Sequence, residues 1–384
     1  MRVNMIERKV RIKGGGVMLM NRAYKFRLYP DKEQRIMFSK TFGCVRFIYN
    51  KMLEDKIKHY KTTKQKLNNT PAQYKQEFEW LREVDSLALA NAQMNLQTAY
   101  NNFFRSSKIG FPKFKSKKNH HYSYTTNSQN GSITIINGYL KLPKVGYVKV
   151  KQHRRIPENQ KIKSATISQT PSGKYFVSIL VEYEYEIPNK ILNKTKALGL
   201  DYSSHNFYVD NQGREANYPK FYRNAQKILA KEQRKLSLMK YGSNNYNKQR
   251  IKVATIQEHI LNQRKDWLHK LSNQLANKYD YICVEDINMQ GLSQSLNLGK
   301  STNDNGFGMF RDFLNYKLFE RGKQLIKINK WFPSSKMCHV CGYINKDLKL
   351  SDRMWVCKCG EVLNRDQNAA INILNAGLNQ LMTA

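Results

Sequence analysis

The stretch "CKCGEVLNRDQNAAINIL" (residues 357–374) joins a cysteine pair at metal-ligand spacing to the start of an alanine-rich helical pattern. Asp366 stands seven residues after Cys359, in the first turn of that pattern. Two readings of it compete. As a helix cap, it merely opens the helix behind a metal knuckle. As one of a dispersed set of acids, it belongs to a site whose other members lie far back in the chain. The choice decides whether the C-terminal half is a metal-stapled module or an α/β domain with a metal knuckle set into it.

Working outward, "CHVC" supplies Cys338 and Cys341, and "CKC" supplies Cys357 and Cys359, with fifteen residues between the pairs. Four thiolates from two tight knuckles make a closed tetrahedral zinc site, the structural kind with no open position for substrate. The second pair has one intervening residue where two are usual. His339, inside the first knuckle, is expected to face solvent or a phosphate and not to ligate. Cys44 and Cys283 stand alone. Such usage suits a reducing compartment and a metal site better than a disulfide framework.

Two further acids end apolar runs: Asp201 in "ALGLD" and Glu285 in "YICVE". A carboxylate at the end of a buried strand is costly unless it faces a cleft and meets a cation. Two strand ends and one helix start can converge at one edge of an α/β sheet. Three carboxylates in a basic protein are the composition of a two-Mg²⁺ nuclease site. Each acid also has a plainer explanation. Asp201 can be a turn former, Glu285 a surface acid beside Asp286, and Asp366 a cap.

The 384 residues include 66 Lys and Arg against 29 acids, a formal charge of +37 spread along the chain. With 23 Tyr and 17 Phe interleaved, the partner this implies is nucleic acid: cations hold phosphates and aromatic faces stack on bases. No run of about 18 apolar residues predicts a membrane span. No apolar stretch near the start suits a secretory signal, so the expected location is cytoplasmic and nucleoid-associated. "GGG" at 14–16 reads as a flexible join, and Met18 or Met20 as alternative starts.

Residues 23–30, "AYKFRLYP", read as a strand. The pattern is helical over 31–105, with Asp85 or Ser86 capping its second helix. Short strands follow over 132–187 and predict a small antiparallel barrel that takes in 23–30. Pro188 and Asn189 stop the last strand at a polar joint, 188–196. Beyond it, strands alternate with helices, including a basic helical hairpin over 221–279 broken at "YGSNN", a strand "YDYICVEDI", a helix "FRDFLNYKLFERGKQ" and a strand "LIKINKWFP". That alternation is α/β.

"GLDYSS", "VEDINMQGL", "FPSSKMCHVCG", "CKCG" and "NRDQNAAINIL" occur in this order. Together they resemble the TnpB (OrfB) family of insertion-sequence proteins, relatives of type V CRISPR effectors. "YKFRLYPDKEQ", "TFGCVRFIYN", "NLQTAYNNFF", "GFPKFKSKK", "LKLPKVG" and "RKDWLHKLS" extend the likeness over residues 21–375.

The resemblance implies a multidomain α/β plus β-barrel fold. Its parts are a barrel (wedge) domain of the oligonucleotide-binding type at 21–30 and 106–190, interrupted by a helical recognition domain at 31–105. An RNase H-like (RuvC) nuclease domain then occupies 191–332 and 364–384, with a zinc ribbon inserted at 333–363. The implied activity is RNA-guided cleavage of double-stranded DNA beside a short transposon-adjacent motif. The guide would be a noncoding RNA from the element's end, and the protein a monomer or weak dimer.

By motif position, Asp201, Glu285 and Asp366 match the Mg²⁺-binding acids, and Cys338, Cys341, Cys357 and Cys359 match the Zn²⁺ ligands. One departure is Asn364, which replaces the first acid of an Asp-Arg-Asp motif. Ser86, Asn91, Tyr124, Thr126 and Asn127 lie in segments that match readers of the adjacent motif. Arg234, Arg264 and Lys336 are expected at backbone phosphates. A nuclease-inactive RNA-guided repressor and a transposase acting directly on DNA are the alternatives.

Overall fold

The computed structural model describes residues 11–13, 17–120, 122–188, 190–295, 299–349 and 351–383. The expected join at 14–16, and Asn189 of the expected strand stop, lie outside the described residues. The chain divides into two compact units, Met1–Tyr185 and Glu186–Ala384.

The first unit holds strands β1 (Arg11–Lys13), β2 (Val17–Tyr29), β3 (Tyr122–Asn127), β4 (Thr134–Ile136), β5 (Tyr139–Leu142), β6 (Gly146–Lys151), β7 (Lys161–Gln169) and β8 (Tyr175–Glu186). Its helices are α1 (Lys32–Thr63), α2 (Tyr74–Glu77) and α3 (Ser86–Arg105). The strands form one sheet in the order β3-β7-β8-β2-β6-β5-β4, with β1 on β2. Among the described residues this pairing is an open path from β3 to β4.

Alternate residues of β8, from Tyr175 through Val177, Ile179 and Val181 to Tyr183, are buried, the period-2 signature of a half-buried strand. Helix α1 opens with a capping box: Gln34 N–H donates to Asp31 Oδ1 at 2.8 Å, and Asp31 N–H donates to Gln34 Oε1 at 3.2 Å. It packs on the sheet through aromatic rings, Phe42 on Tyr122 at 5.8 Å and Phe38 on Tyr124 at 6.3 Å. Asp85 caps α3, accepting from Leu87 N–H at 3.1 Å. Helices 31–105 and the sheet therefore form one body.

The second unit has β9 (Ala197–Ser203), β10 (Phe207–Asp210), α4 (Phe221–Ser237), α5 (Asn244–Lys278), β11 (Tyr281–Glu285), α6 (Met289–Ser295), α7 (Gly299–Asn305), α8 (Phe307–Phe319), β12 (Gln324–Ile328), β13 (Met354–Val356), β14 (Val362–Asn364) and α9 (Arg365–Thr383). The main sheet runs β10-β9-β11-β12. Strands β9, β11 and β12 are parallel, while β10 is antiparallel to β9.

Strand β12 stops at Ile328, so "NKWFP" is a turn and not the strand's end as the pattern suggested. Asn329 bonds the next backbone groups locally, with Phe332 N–H on its carbonyl at 3.0 Å. Helices α6 and α7 fill a stretch to which the pattern assigned nothing.

Helices cover both faces of this sheet. On one, Leu198, Leu200, Ile282 and Val284 pack with Phe307, Phe310, Leu314 and Leu318 of α8 and Leu268 of α5. On the other, Tyr281, Cys283, Ile326 and Ile328 pack with Ile373 of α9. Helix α9 lies unusually close. A Cβ at Gly199 would sit 2.1 Å from the Ala370 carbonyl oxygen, and one at Gly377 would sit 2.4 Å from Cys283 Sγ. Glycine is required there for space alone. No helix among the described residues is long and apolar enough to cross a membrane.

Candidate active site

In the parallel pair β9 and β11, Leu200 is level with Val284. Asp201 and Glu285 are the next residues, so they stand side by side at the same end of neighbouring strands. Gly199 lets α9 press against β9, and this brings the first turn of α9, with Asp366, to the same edge. The three acids line one cleft of about 630 Å³, together with Lys330, Lys336, Arg353 and Arg365.

Asp201 is only 9 % exposed. Burial holds its pKa well above the usual carboxylate range, and the charges of Glu285 and Asp366 push it further, against Arg365. Burial also raises Glu285, while the Ser334 hydroxyl, which donates to Glu285 Oε1, opposes the rise. Asp366 is gripped by Arg365, Nε at 3.0 Å and Nη2 at 2.9 Å on Oδ1, and by Arg353 Nη1 at 2.9 Å on Oδ2. Buried carboxylates that repel one another around an open cleft are a donor set for hard divalent cations, which take oxygen ligands.

The cap reading of Asp366 is met by a different residue. Asn364 Oδ1 accepts from the N–H groups of Asp366 and Gln367, each at 3.1 Å. The carboxylate of Asp366 is thereby spared the capping task and goes to Arg365 and Arg353 at the cleft.

The four cysteines converge, with their sulfurs all within 4.8 Å of one another. Among the described residues they are the one such cluster. The three acids share a cleft without that closeness, Asp366 being turned to its guanidiniums. Cys338–Cys359 and Cys341–Cys357 sulfurs are 3.9 and 3.4 Å apart. Ligands about 2.3 Å from a tetrahedral zinc stand roughly 3.8 Å from one another, so the set fits Zn²⁺.

Helix α9 ties the knuckle down through asparagines. Asn368 Nδ2 donates to the Met337 carbonyl at 2.7 Å, and Asn372 Nδ2 donates to those of Met337 and Ser334 at 2.6 and 2.8 Å. His339 is half-buried, with its backbone N–H and Nδ1 each 3.0 Å from Asn368 Oδ1. It stands outside the sulfur cluster, as expected, with Nδ1 engaged by Asn368.

Several expected nucleic-acid contacts are placed differently. Tyr124 and Thr126 are buried, because the face of β3 that carries them packs on α1 and α3. The Thr126 hydroxyl is committed to the Asp85 carboxylate. Asn91, half-buried, donates back to the Leu87 carbonyl at 2.8 Å. Arg264 is 16 % exposed and pairs with Asp304 at 3.5 Å, drawn inward by a buried acid. Ser86 is exposed, its Oγ taking Lys75 Nζ at 2.7 Å. Asn127 is half-buried at the end of β3, and Arg234 is exposed on α4. Lys336 lines the cleft and donates to the Lys346 carbonyl at 2.9 Å.

Sequence reasoning missed the roles of Ser334, Arg353, Arg365 and Gly199. Only the "SSK" between strand and knuckle and the glycine before a strand-end acid gave any signal.

Family models match three segments: "Cas12f1-like, TNB domain" over 307–373, "Helix-turn-helix domain" over 18–65, and "Probable transposase" over 178–296. The 18–65 match falls on one strand and one unbroken helix, β2 and α1. A relative from Streptomyces pristinaespiralis, named "Putative RNA-guided DNA endonuclease", is 35 % identical over 94 % of this chain and 90 % of its own. One from Escherichia coli (strain K12), of the same name with the suffix InsQ, is 29 % identical over 92 % of each. A "TnpB-like protein" of Acanthamoeba polyphaga mimivirus is 32 % identical over 31 % of this chain. A solved structure, "Cryo-EM structure of the Cas12f1-sgRNA-target DNA complex", covers 93 % of this chain and 99 % of its own with a TM-score of 0.59 and 12 % identity. That likeness is one of fold.

Proposed function

The chain belongs to the TnpB family, and on that premise we propose that it is an RNA-guided DNA endonuclease of a transposable element. Its partners are a guide RNA from the element's end and double-stranded target DNA beside a short adjacent motif. The observation that carries the reading is the convergence of Asp201, Glu285 and Asp366, from β9, β11 and α9, on one cationic cleft. Sequence selection would come from base pairing with the guide, and the protein would read duplex shape and the short motif. The charge of +37 supplies the phosphate-binding background for both polymers.

In this reading Asp201, Glu285 and Asp366 hold two Mg²⁺ ions, which when bound neutralise the scissile phosphate and make water nucleophilic near neutral pH. The protein's own groups position and bind. Ser334 fixes the orientation of Glu285. Arg365, mostly buried, holds Asp366 at the cleft edge. Lys330 and Lys336 give the DNA backbone cationic contacts at the rim. Zn²⁺ on the four cysteines stabilises the ribbon at 333–363, which leads into β14 and α9.

The nuclease domain is of the RNase H (RuvC) type, at 191–332 and 364–384. The front sheet serves as the wedge domain, and helices 31–105 as the recognition segment. The protein acts as a monomer or weak dimer at the nucleoid.

The test is cleavage of motif-bearing DNA by guide-loaded protein with Mg²⁺. Asp201→Ala, Glu285→Ala and Asp366→Ala each abolish cutting and leave guide and target binding intact. Full cutting by Asp366→Ala protein would sink the three-acid site. The "Probable transposase" description of the 178–296 match favours a second reading, direct strand joining by the same acids. A strict requirement for RNA in the cleavage assay rules that reading out.

A further inference from the structure

Past β12 the chain skirts the cleft in a turn, residues 329–336. Ile328, the last residue of β12, is level with Glu285, so this turn continues beyond the acid end of the sheet. Its two aromatic residues part company. Phe332 packs into the cluster under α9. Trp331 is left 80 % exposed.

A tryptophan is normally well buried, and nothing in the packing of this unit asks for this one. The turn that displays it is nonetheless fixed: Trp331 N–H donates to Asn329 Oδ1 at 3.0 Å, and Phe332 N–H to the Asn329 carbonyl at 3.0 Å. Lys330, which lines the acid cleft, carries its ammonium 4.8 Å from the centre of the Trp331 ring. An exposed aromatic face and a cation thus stand together on a bonded turn at the rim, the same turn whose Ser334 bonds Glu285.

We propose that Trp331 is a stacking platform for an unpaired nucleobase of the DNA strand that enters the cleft, with Lys330 on the adjoining phosphate. The chemistry is that of single-strand binding, where every base offers a π-face and a neighbouring cation takes the backbone. A duplex could not use this ring without first opening, so the platform favours a strand already separated. Because the backbone beneath the ring is already bonded to Asn329, stacking orders the side chain alone, and a stacked base sets the register of the phosphate that follows. The inference rests on the nuclease reading above and adds to it the residue that sets the strand.

The test uses guide-loaded protein and target DNA with 2-aminopurine at successive positions around the cut. An Asp366→Ala background keeps the strand intact. Emission is expected to be quenched at one or two adjacent positions with Trp331 or Trp331→Phe, and restored in Trp331→Ala. With the acids intact, Trp331→Ala slows single-turnover cleavage about ten-fold, within the range of one lost base stack. Trp331→Phe recovers most of that rate. Unaltered quenching and rate in Trp331→Ala overturn the proposal. So does a slowed rate with no position-specific change in quenching, which would make the ring a structural or protein-docking element. If the wild-type protein cuts no target DNA at all, the nuclease reading itself fails, a result separate from either of these.

Discussion

Ser334 and Glu285 are joined by a hydrogen bond from the buried serine hydroxyl to Oε1 of the carboxylate. Ser334 is itself anchored, since its carbonyl accepts from Asn372 of α9 at 2.8 Å. The turn after β12 therefore sets the angle at which Glu285 meets the cleft. Ser334→Ala should leave the fold intact and lower Mg²⁺ affinity or cleavage rate by about 10–100-fold, the usual cost of losing a partner of a metal ligand. A Mg²⁺ titration of single-turnover cleavage checks it. Cleavage indistinguishable from wild type at limiting Mg²⁺ would show that Glu285 needs no such partner.

The knuckle and α9 share their hydrogen bonds, Asn368 and Asn372 both donating to the Met337 carbonyl. Removing zinc should therefore loosen the start of α9 as well as the ribbon. Cys357→Ser, or chelation, is expected to lower the melting temperature and to raise hydrogen exchange in 365–372. Metal content and exchange mass spectrometry read both. Protection in 365–372 that survives complete zinc loss would separate the two elements.

Asn364 caps α9 through two backbone N–H groups. Asn364→Ala should cost about 1 kcal/mol of stability, the usual value of an N-cap. Asn364→Asp, which restores the acid common at this motif position, should be neutral to within a few tenths, because both side chains cap equally well. Denaturant melts of the three proteins decide it.

Asp280, 2 % exposed, receives Lys190 at 2.8 Å, Lys323 at 3.3 Å and the Asn193 N–H at 3.2 Å. Burial acts to raise its pKa, but these donors outweigh it and hold the carboxyl below its ordinary value. A depressed folded pKa contributes stability above the unfolded value, about 3.9, and loses it as pH falls through the folded one. Asp280→Asn should cost about 3 kcal/mol near neutral pH, the scale for breaking a buried pair, and the gap to wild type should close below about pH 4. Melts across pH 2–7 test this. A constant gap would mean that the charge of Asp280 is not what stabilises.

Much of this was legible in the sequence where a local rule has few solutions. Asp85 before "SLALA" announces a helix start through capping chemistry that needs no tertiary context, and the same chemistry at Asp31 with Gln34 was there to be read. The cysteine cluster was legible because paired knuckle spacing has few uses, and the acids closing "ALGLD" and "YICVE" stood out because a carboxylate at the end of a buried strand needs a partner or a cation. Long-range choices were not legible. Tyr124 and Thr126 alternate correctly along β3, yet which face meets solvent depends on α1 and α3 folding over it. The grip of Arg353 and Arg365 on Asp366 spans a hairpin whose pairing, Met354 with Asn364, no periodicity reveals. The need for Gly199 shows only once α9 is laid against β9.

The order in which the acids leave the ribosome has its own consequence. Asp201 and Glu285 emerge well before Asp366, 165 residues after the first (366 minus 201) and behind the whole cysteine segment. At about 5–20 residues per second of synthesis, the cleft lacks its third acid for on the order of ten seconds. Any chain cut short in that interval, by a stalled ribosome or a premature stop, carries the basic surface without the complete acid edge. On the nuclease reading proposed above, such a chain would bind nucleic acid without the means to cut it, so cutting would wait on the synthesis of α9.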